Sequence, residues 1–484
     1  MLISQPKTKS LNLKLAFVLY ACITGVLAIR HTMWRDELQL WLLSSKSSNI
    51  GDLLSNTSHE LRPLGYFLFC WVVSRFTANP EILKVTNWLI SISLAYVVLF
   101  RIQVKEYVKV LFLFGFIPLI GYSHIAEDYM LSTLLFIILI KIFSETQNKP
   151  VFFLVACLLA NIHILFLLAS SGFVFIYFLD SITFKRNFRE LVVQNRKLIS
   201  LVLLYVVSLL LAASRISQTT AGSYRPKTTD IAYIVKRSFT VIASACFPFY
   251  DFQTGGGGHR IVFVSLIFLG GLIIAGLFFL ALLQEIRIAA AIMISHFLLI
   301  AGMVFGYSSY WWHFGSLFIC IFGSLLLLQM KQNIRPTTRL PMQLVTALLL
   351  ISQVIALFIG PRTNLWEHQP YSTAESTAAY VASVCDQSCT IIMPHETTGV
   401  GVSAYLGGRE IYYVDKGQFG SFAEWRAVIE DPTWIQLIEA AKKFDKSIFV
   451  TSVLTDPPPE IITLKAFSGA VWTDENFTIS KLAP

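Results

Sequence analysis

Two adjacent carboxylates, an imidazole and a guanidinium lie in one stretch of this chain, Trp34 to Pro63: Asp36 and Glu37 in WRDELQLWLL, then His59 and Arg62 in HELRP. A carboxylate can take a proton from a hydroxyl, and a basic neighbour can hold a departing anion. In a helix, Trp34, Leu38, Trp41 and Leu42 share one face, while Asp36 falls opposite with Leu40 and Leu43. Such a helix would lie in a membrane interface, its tryptophans at headgroup level, and would hold Asp36 where a lipid-borne substrate meets water. An ordinary interfacial helix with solvated charges fits the same pattern, since acids are common in first helical turns.

The surrounding chain supplies the membrane. Of its 484 residues 55% are hydrophobic and 14% charged, the mean hydropathy is +0.64, and several runs approach the roughly 20 apolar residues that cross a ~30 Å hydrocarbon core. The fold class is therefore an α-helical polytopic membrane protein. Its net charge of +9 is unevenly placed: nine basic against fifteen acidic residues follow residue 361, a net of −6, which leaves +15 on the rest. That asymmetry is a topology signal and gives no reason to expect nucleic acid. Lys7, Lys9 and Lys14 precede the apolar run Leu15 to Ile29, which lacks a small-residue cleavage site. This predicts a retained first helix, a cytoplasmic N-terminus and an outer loop over residues 30–62.

Apolar runs follow at Leu64 to Phe76, Val85 to Phe100, Val108 to Gly121 and Met130 to Phe143, the last two separated by YSHIAEDY. A carboxylate at the bilayer centre costs on the order of 3 kcal/mol, so Glu127 and Asp128 belong at a rim, in a wet cavity or in a solvated turn. Val151 to Leu179 is too long for one upright helix and carries Asn161 and His163 in its middle. One tilted helix, or two segments broken near those residues, each fit, and the choice decides on which side Glu127 and Asp128 lie.

SITFKRNFRELVVQNRK, residues 181–197, reads as a cytoplasmic loop, and residues 215–260 as a large outer loop. Within it, Gly255 to Gly258 form no phosphate loop, because neither the spacing nor the following Lys and Ser or Thr are present. Arg225, His259 and Arg260 are candidates for anion contact. Spans follow at Ile261 to Leu283, Ala289 to Phe305, Phe314 to Leu328 and Leu344 to Ile359, with His313 inside the aromatic belt GYSSYWWHFG. Residues 1–360 thus form a membrane module. Residues 361–484 read as a small extracytoplasmic α/β domain, with helices at Ser372 to Val384 and Trp434 to Phe444 and strands at Thr390 to Met393, Glu410 to Val414 and Ser447 to Val450. Cys385 and Cys389 are predicted to pair as a disulfide, since zinc would need further ligands nearby.

Taken in order, WRDELQLWLL, the run from His59 to Phe67, YSHIAEDYML, NIH at Asn161 to His163, and WHFG at Trp312 to Gly315 resemble the GT-C superfamily of membrane glycosyltransferases. These use polyprenyl-phosphate sugars and include protein mannosyltransferases and aminoarabinose transferases. More closely the chain is similar to a bacterial branch whose commoner pattern reads WRDEAQAW, GHPxLWY, RNY, NxH and RHxG. The resemblance implies about 11–13 transmembrane helices, a plasma (inner) membrane location and transfer of a sugar to a glycan, lipid or protein hydroxyl on the outer face. It implies Asp36 as general base, with Glu37 as alternate or orienting residue. His59, Arg62, Glu127, Asp128, Tyr129, Asn161, His163, Arg225, His259, Arg260 and His313 are the implied substrate-binding residues. The chain departs from the pattern in having Glu127-Asp128 before Tyr129 and Trp312 before His313, so two basic positions expected to meet phosphate are absent; Arg62, Arg225 or Arg260 can substitute.

Some relatives use a divalent cation such as Mg or Mn and others none; Asp36, Glu37 and Glu127 would offer oxygen ligands if the fold gathers them. The competing readings are a multi-pass lipid or sugar transporter or flippase, and a degenerate protein that only binds lipid-linked sugar. No internal repeat is evident, and the acids cluster beside the spans, which favours the enzyme over the transporter.

Overall fold

This computed structural model describes residues 9–145, 149–182, 188–218, 230–252, 260–306, 310–331, 336–359, 369–424, 432–452 and 457–483. The helices before the sheet are α1 (Lys9–Arg30), α2 (Arg35–Ser45), α3 (Ile50–Asn56), α4 (Leu64–Ser74), α5 (Ile82–Tyr96), α6 (Glu106–Leu113), α7 (Asp128–Glu145), α8 (Lys149–Ile162), α9 (Ile164–Ser181), α10 (Phe188–Gln218), α11 (Ile231–Cys246), α12 (Arg260–Gln284), α13 (Ile286–Phe305), α14 (Trp311–Met330) and α15 (Pro336–Ile355). Eight segments among the described residues are long and apolar enough to cross a membrane: Asn12–Arg30, Ile82–Arg101, Ile164–Ser181, Asn195–Ser214, Arg260–Gln284, Ile286–Phe305, Trp311–Met330 and Thr338–Ile355. Their outward residues, among them Phe268, Phe297 and Leu344, are exposed and apolar, as lipid contact requires.

That count is below the eleven to thirteen spans expected, for identifiable reasons. Leu64–Ser74 and Lys149–Ile162 are apolar but only 11 and 14 residues long. Helix α7 carries Asp128, Lys141 and Glu145, and α6 stops after eight residues before a π-helical turn at Ile117–Gly121. The run Val151 to Leu179 is two helices. His163 takes an extended backbone between α8 and α9, and its Nδ1 accepts the Leu165 amide at 3.0 Å. A side chain that captures a backbone N–H ends one helix and caps the next. Helix α8 packs back along α7, so Asp128 at the start of α7 and His163 at the break share one end of the bundle.

Helix α2 departs from the interfacial reading. Eight of its eleven residues are buried, and Trp41, placed at headgroup level by its sequence, is 2% exposed. It is enclosed by α4 on one side and by α17 (Glu396–Tyr405) of the sheet region on the other. Close approach also brings α4 onto α8: a Cβ at Gly65 would stand 2.5 Å from the Asn161 carbonyl oxygen.

The sheet region holds α16 (Ala374–Val384), α17 and α18 (Trp434–Ala441) around six strands: β1 (Thr390–Met393), β2 (Ile411–Tyr413), β3 (Gln418–Gly420), β4 (Ser447–Thr451), β5 (Ile461–Phe467) and β6 (Phe477–Leu482). Their order is β3-β2-β1-β4-β6-β5, with β1 parallel to β2 and β4 and the remaining pairs antiparallel. The predicted helices and strands appear here with boundaries shifted by up to three residues, and Cys385 is bonded to Cys389. Helix α17 was not legible because ETTGVGVSAY is a poor helix former. Its glycines serve packing, since a Cβ at Gly399 would collide with the Tyr413 ring.

The turn 122–127 carries the acids toward the site and is held from within the bundle. Asn87 Nδ2 lies 2.9–3.0 Å from the carbonyl oxygens of Tyr122, Ser123 and Ile125. Because those carbonyls are buried, Asn87→Ala should cost about 1–3 kcal/mol, read as a lowered thermal midpoint in detergent. An unchanged midpoint would show that the turn holds its shape without Asn87.

Candidate functional site

The site is built outward from Glu37. Its carboxylate is fully buried; Oε2 accepts from His31 Nε2 at 2.8 Å and from the Trp34 amide at 3.1 Å, and Oε1 accepts from the Ala126 amide at 2.5 Å. Three segments are thereby tied: the residue after α1, the N-terminus of α2, and the turn before α7. Successive helical residues point about 100° apart, so with Glu37 turned inward Asp36 is turned toward open space.

That space is a cavity of about 230 Å³. Asp36 lines it with Arg35, His59 and Arg62 from one side, and Asp128, Tyr129, His163 and His313 from the other. The N-termini of five helices, α2, α4, α7, α9 and α14, reach it, and Trp472 of the sheet region closes part of its wall. Trp34 stacks on Trp472 with ring centroids 5.0 Å apart and meets the edge of Trp312 at 5.6 Å. Converging N-termini present positive dipole ends, a favourable environment for a bound phosphate.

Both histidines beside the helix starts have a set tautomer. His163 Nδ1 accepts from the Leu165 amide and His313 Nδ1 from the Tyr310 amide, each at 3.0 Å. A ring nitrogen that accepts from an amide carries no proton, so in the neutral rings the N–H is on Nε2. The arginines are held by acids. Arg62 meets Glu127 at 2.8 Å, and Arg35 pairs with Asp474 and lies 3.9 Å from both Asp36 and Glu475. Burial raises the Asp36 pKa above the usual carboxylate range, opposed by the charges of Arg62 and Arg35. Burial also raises Glu127, against Arg62.

The sequence candidates divide into three groups. Asp36, His59, Arg62, Asp128, Tyr129, His163 and His313 come together around the cavity. Glu37 and Glu127 stand behind its wall: Glu37 is enclosed among its three donors, and Glu127 meets Arg62 and lines a small pocket beside the cavity. Asn161 instead turns back to the Cys157 carbonyl at 2.9 Å, and Arg260 is exposed at the start of α12, outside the cavity lining. Arg225, His259 and Gly255 to Gly258 lie outside the described residues. Glu37, committed to structural hydrogen bonds, does not join Asp36 and Glu127 as a cation site. Among the described residues no group of three or more His, Cys, Asp or Glu is placed to hold a metal ion.

Sequence reading missed Arg35, Gln39, Glu60 and Trp472. Gln39 links the sheet region to the first loop: its Nε2 donates to Glu60 Oε1 at 2.9 Å and to the Ala423 carbonyl at 2.6 Å, while its Oε1 accepts the Ala423 amide at 3.0 Å. Arg35 and Gln39 have a weak signal in their neighbourhood to Asp36. Trp472 has none, because only the docking of the sheet region brings it there.

Glu475 gives this junction a pH dependence. Its buried carboxyl accepts from Ser372 Oγ at 2.6 Å, and burial, partly offset by Arg35, pushes its pKa from the ordinary 4.5 up to about 7. Between these values the folded protein holds a proton that the unfolded chain has released. The resulting stability is complete below the unfolded value and is lost as pH rises through about 7, a change on the order of 3 kcal/mol. The thermal midpoint in detergent should therefore fall between about pH 5 and pH 8, and Glu475→Gln should flatten that fall. Equal slopes for both proteins would exclude Glu475 as the source.

No family model matches the chain, and no curated protein has significant sequence similarity to it.

Proposed function

We propose that this protein is a membrane glycosyltransferase of GT-C type, which moves a sugar from a polyprenyl-phosphate donor to an acceptor hydroxyl on the outer face of the plasma (inner) membrane. The observation that carries the reading is one cavity in which a partly exposed carboxylate, Asp36, shares the wall with Arg35, Arg62 and five helix N-termini. A base for the acceptor and a cradle for the leaving phosphate are the two things the reaction needs. The acceptor is a glycan, lipid or protein hydroxyl.

In this mechanism the acceptor oxygen attacks the anomeric carbon while the bond from that carbon to the phosphate oxygen breaks, its electron pair leaving with the phosphate. Asp36 takes the acceptor proton. Its side chain is 26% exposed, so a hydroxyl can reach it from water, and its raised pKa makes it a stronger base than an ordinary aspartate. Arg62 and the Nε2–H group of His313 face the same space and bind phosphate or sugar oxygens. Single displacement inverts the anomeric centre. Because the two basic motif positions are absent, phosphate neutralisation falls to Arg35, Arg62 and the helix N-termini.

Purified protein given polyprenyl-phosphate sugars and a hydroxyl acceptor should consume the lipid-linked sugar, and Asp36→Asn should lower turnover by about 10²–10⁴-fold at unchanged folding. The rate should rise with pH through a point above the usual aspartate range, because burial raises the base. Full turnover by Asp36→Asn would remove it as base. Inactivity of the wild type with every donor would favour a lipid-linked-sugar binding protein or a transporter.

A further inference from the structure

We propose that Asp128 is a cation-stabilising carboxylate: resting on the transfer reading above, it faces the positive charge that develops on the sugar ring as the phosphate leaves, and His163 positions it. The group is unusual for its surroundings. Asp128 is 1% exposed, lines the cavity, and neither carboxylate oxygen has a hydrogen-bond partner among the described residues. An unpartnered buried carboxylate is costly, and a native fold keeps one where a ligand completes it.

The neighbours explain how it stays available. His163 Nε2 stands 3.9 Å from Oδ1, close enough to orient the group and too far for a full hydrogen bond. The His163 tautomer is set from its other side by the Leu165 amide, so the ring N–H sits on Nε2, the atom 3.9 Å from the acid, and leaves its lone pairs untaken. Asp128 opens α7, whose dipole favours the charged carboxylate. The nearby guanidinium, Arg62, is engaged by Glu127. Asp128 meets Arg62 through charge alone and keeps its lone pairs for a further positive partner, and Asp36, more exposed and beside Arg35, is left for the acceptor proton.

Electron balance assigns the role. When the bond to phosphate breaks, the electron pair leaves with phosphate, and the anomeric carbon and ring oxygen share a positive charge until the acceptor oxygen bonds. The acceptor proton passes to Asp36. Asp128 forms no bond and gains no proton; it lowers the energy of the charged ring electrostatically.

The test compares a protonated iminosugar, which carries the charge permanently, with a neutral cyclitol of the same shape, by quenching of the cavity tryptophans. Wild type should bind the iminosugar about 10-fold or more tighter, and Asp128→Asn should abolish that preference while keeping cyclitol affinity and the thermal midpoint. Asp128→Glu should restore part of it. In turnover, Asp128→Asn should lower kcat by about 10²-fold with little change in donor KM, as expected for a contact made in the transition state. Retention of the preference by Asp128→Asn, or a loss shared equally by both probes, overturns the proposal. Wild-type turnover without an Asp128-dependent preference overturns the cation site and leaves the transfer reading standing. An Asp128-dependent preference in a protein that transfers no sugar supports the cation site and overturns the transfer reading.

Discussion

The carboxylate of Glu37, buried where three segments of the chain meet, is the constraint on which the site depends. It joins an imidazole just past α1, the Trp34 amide that precedes α2 and an amide of the turn before α7. Removing one partner of a buried, hydrogen-bonded charge typically costs 3–5 kcal/mol, so the three segments have little freedom to separate. One consequence is orientation: with Glu37 facing inward, its neighbour Asp36 faces the cavity. Another is distance, because the turn bound through Ala126 leads directly to Glu127 and Asp128.

Around that knot the acids and bases sort by depth. Arg62 is held by Glu127, which does not line the cavity, and Arg35 pairs with Asp474 while lying 3.9 Å from both Asp36 and Glu475. The arginines are thus aimed rather than free, which lowers the ordering cost of meeting an anion. The sheet region is part of this arrangement: it supplies Trp472 to the wall, Asp474 to Arg35, and the Ala423 backbone to Gln39. A bilayer-embedded bundle and a polar domain therefore share one cavity between them.

Much of this was legible in the sequence. Hydropathy located the apolar helices, and the short motifs held Asp36 and the histidines placed around the cavity. A capping histidine broke a helix that hydropathy alone left undecided. What could not be read was burial by distant partners: α2 has the pattern of an interfacial helix, and the packing of α4 and α17 on it removes it from that role. Glu37, left by the sequence as an alternate base or an orienting residue beside Asp36, is committed by the fold to buried hydrogen bonds, while Asp36 lines the cavity. Trp472 is the extreme case, a contact created wholly by tertiary docking.

The most direct measurement is photo-crosslinking with a polyprenyl phosphate that carries a photoreactive group near its phosphate, followed by peptide mapping. Adducts should concentrate in Trp34–Gln39, His59–Pro63 and the start of α14 and be competed away by unlabelled polyprenyl phosphate. Adducts spread over the lipid-facing helices, with those three segments unlabelled and no competition, would contradict the proposed site.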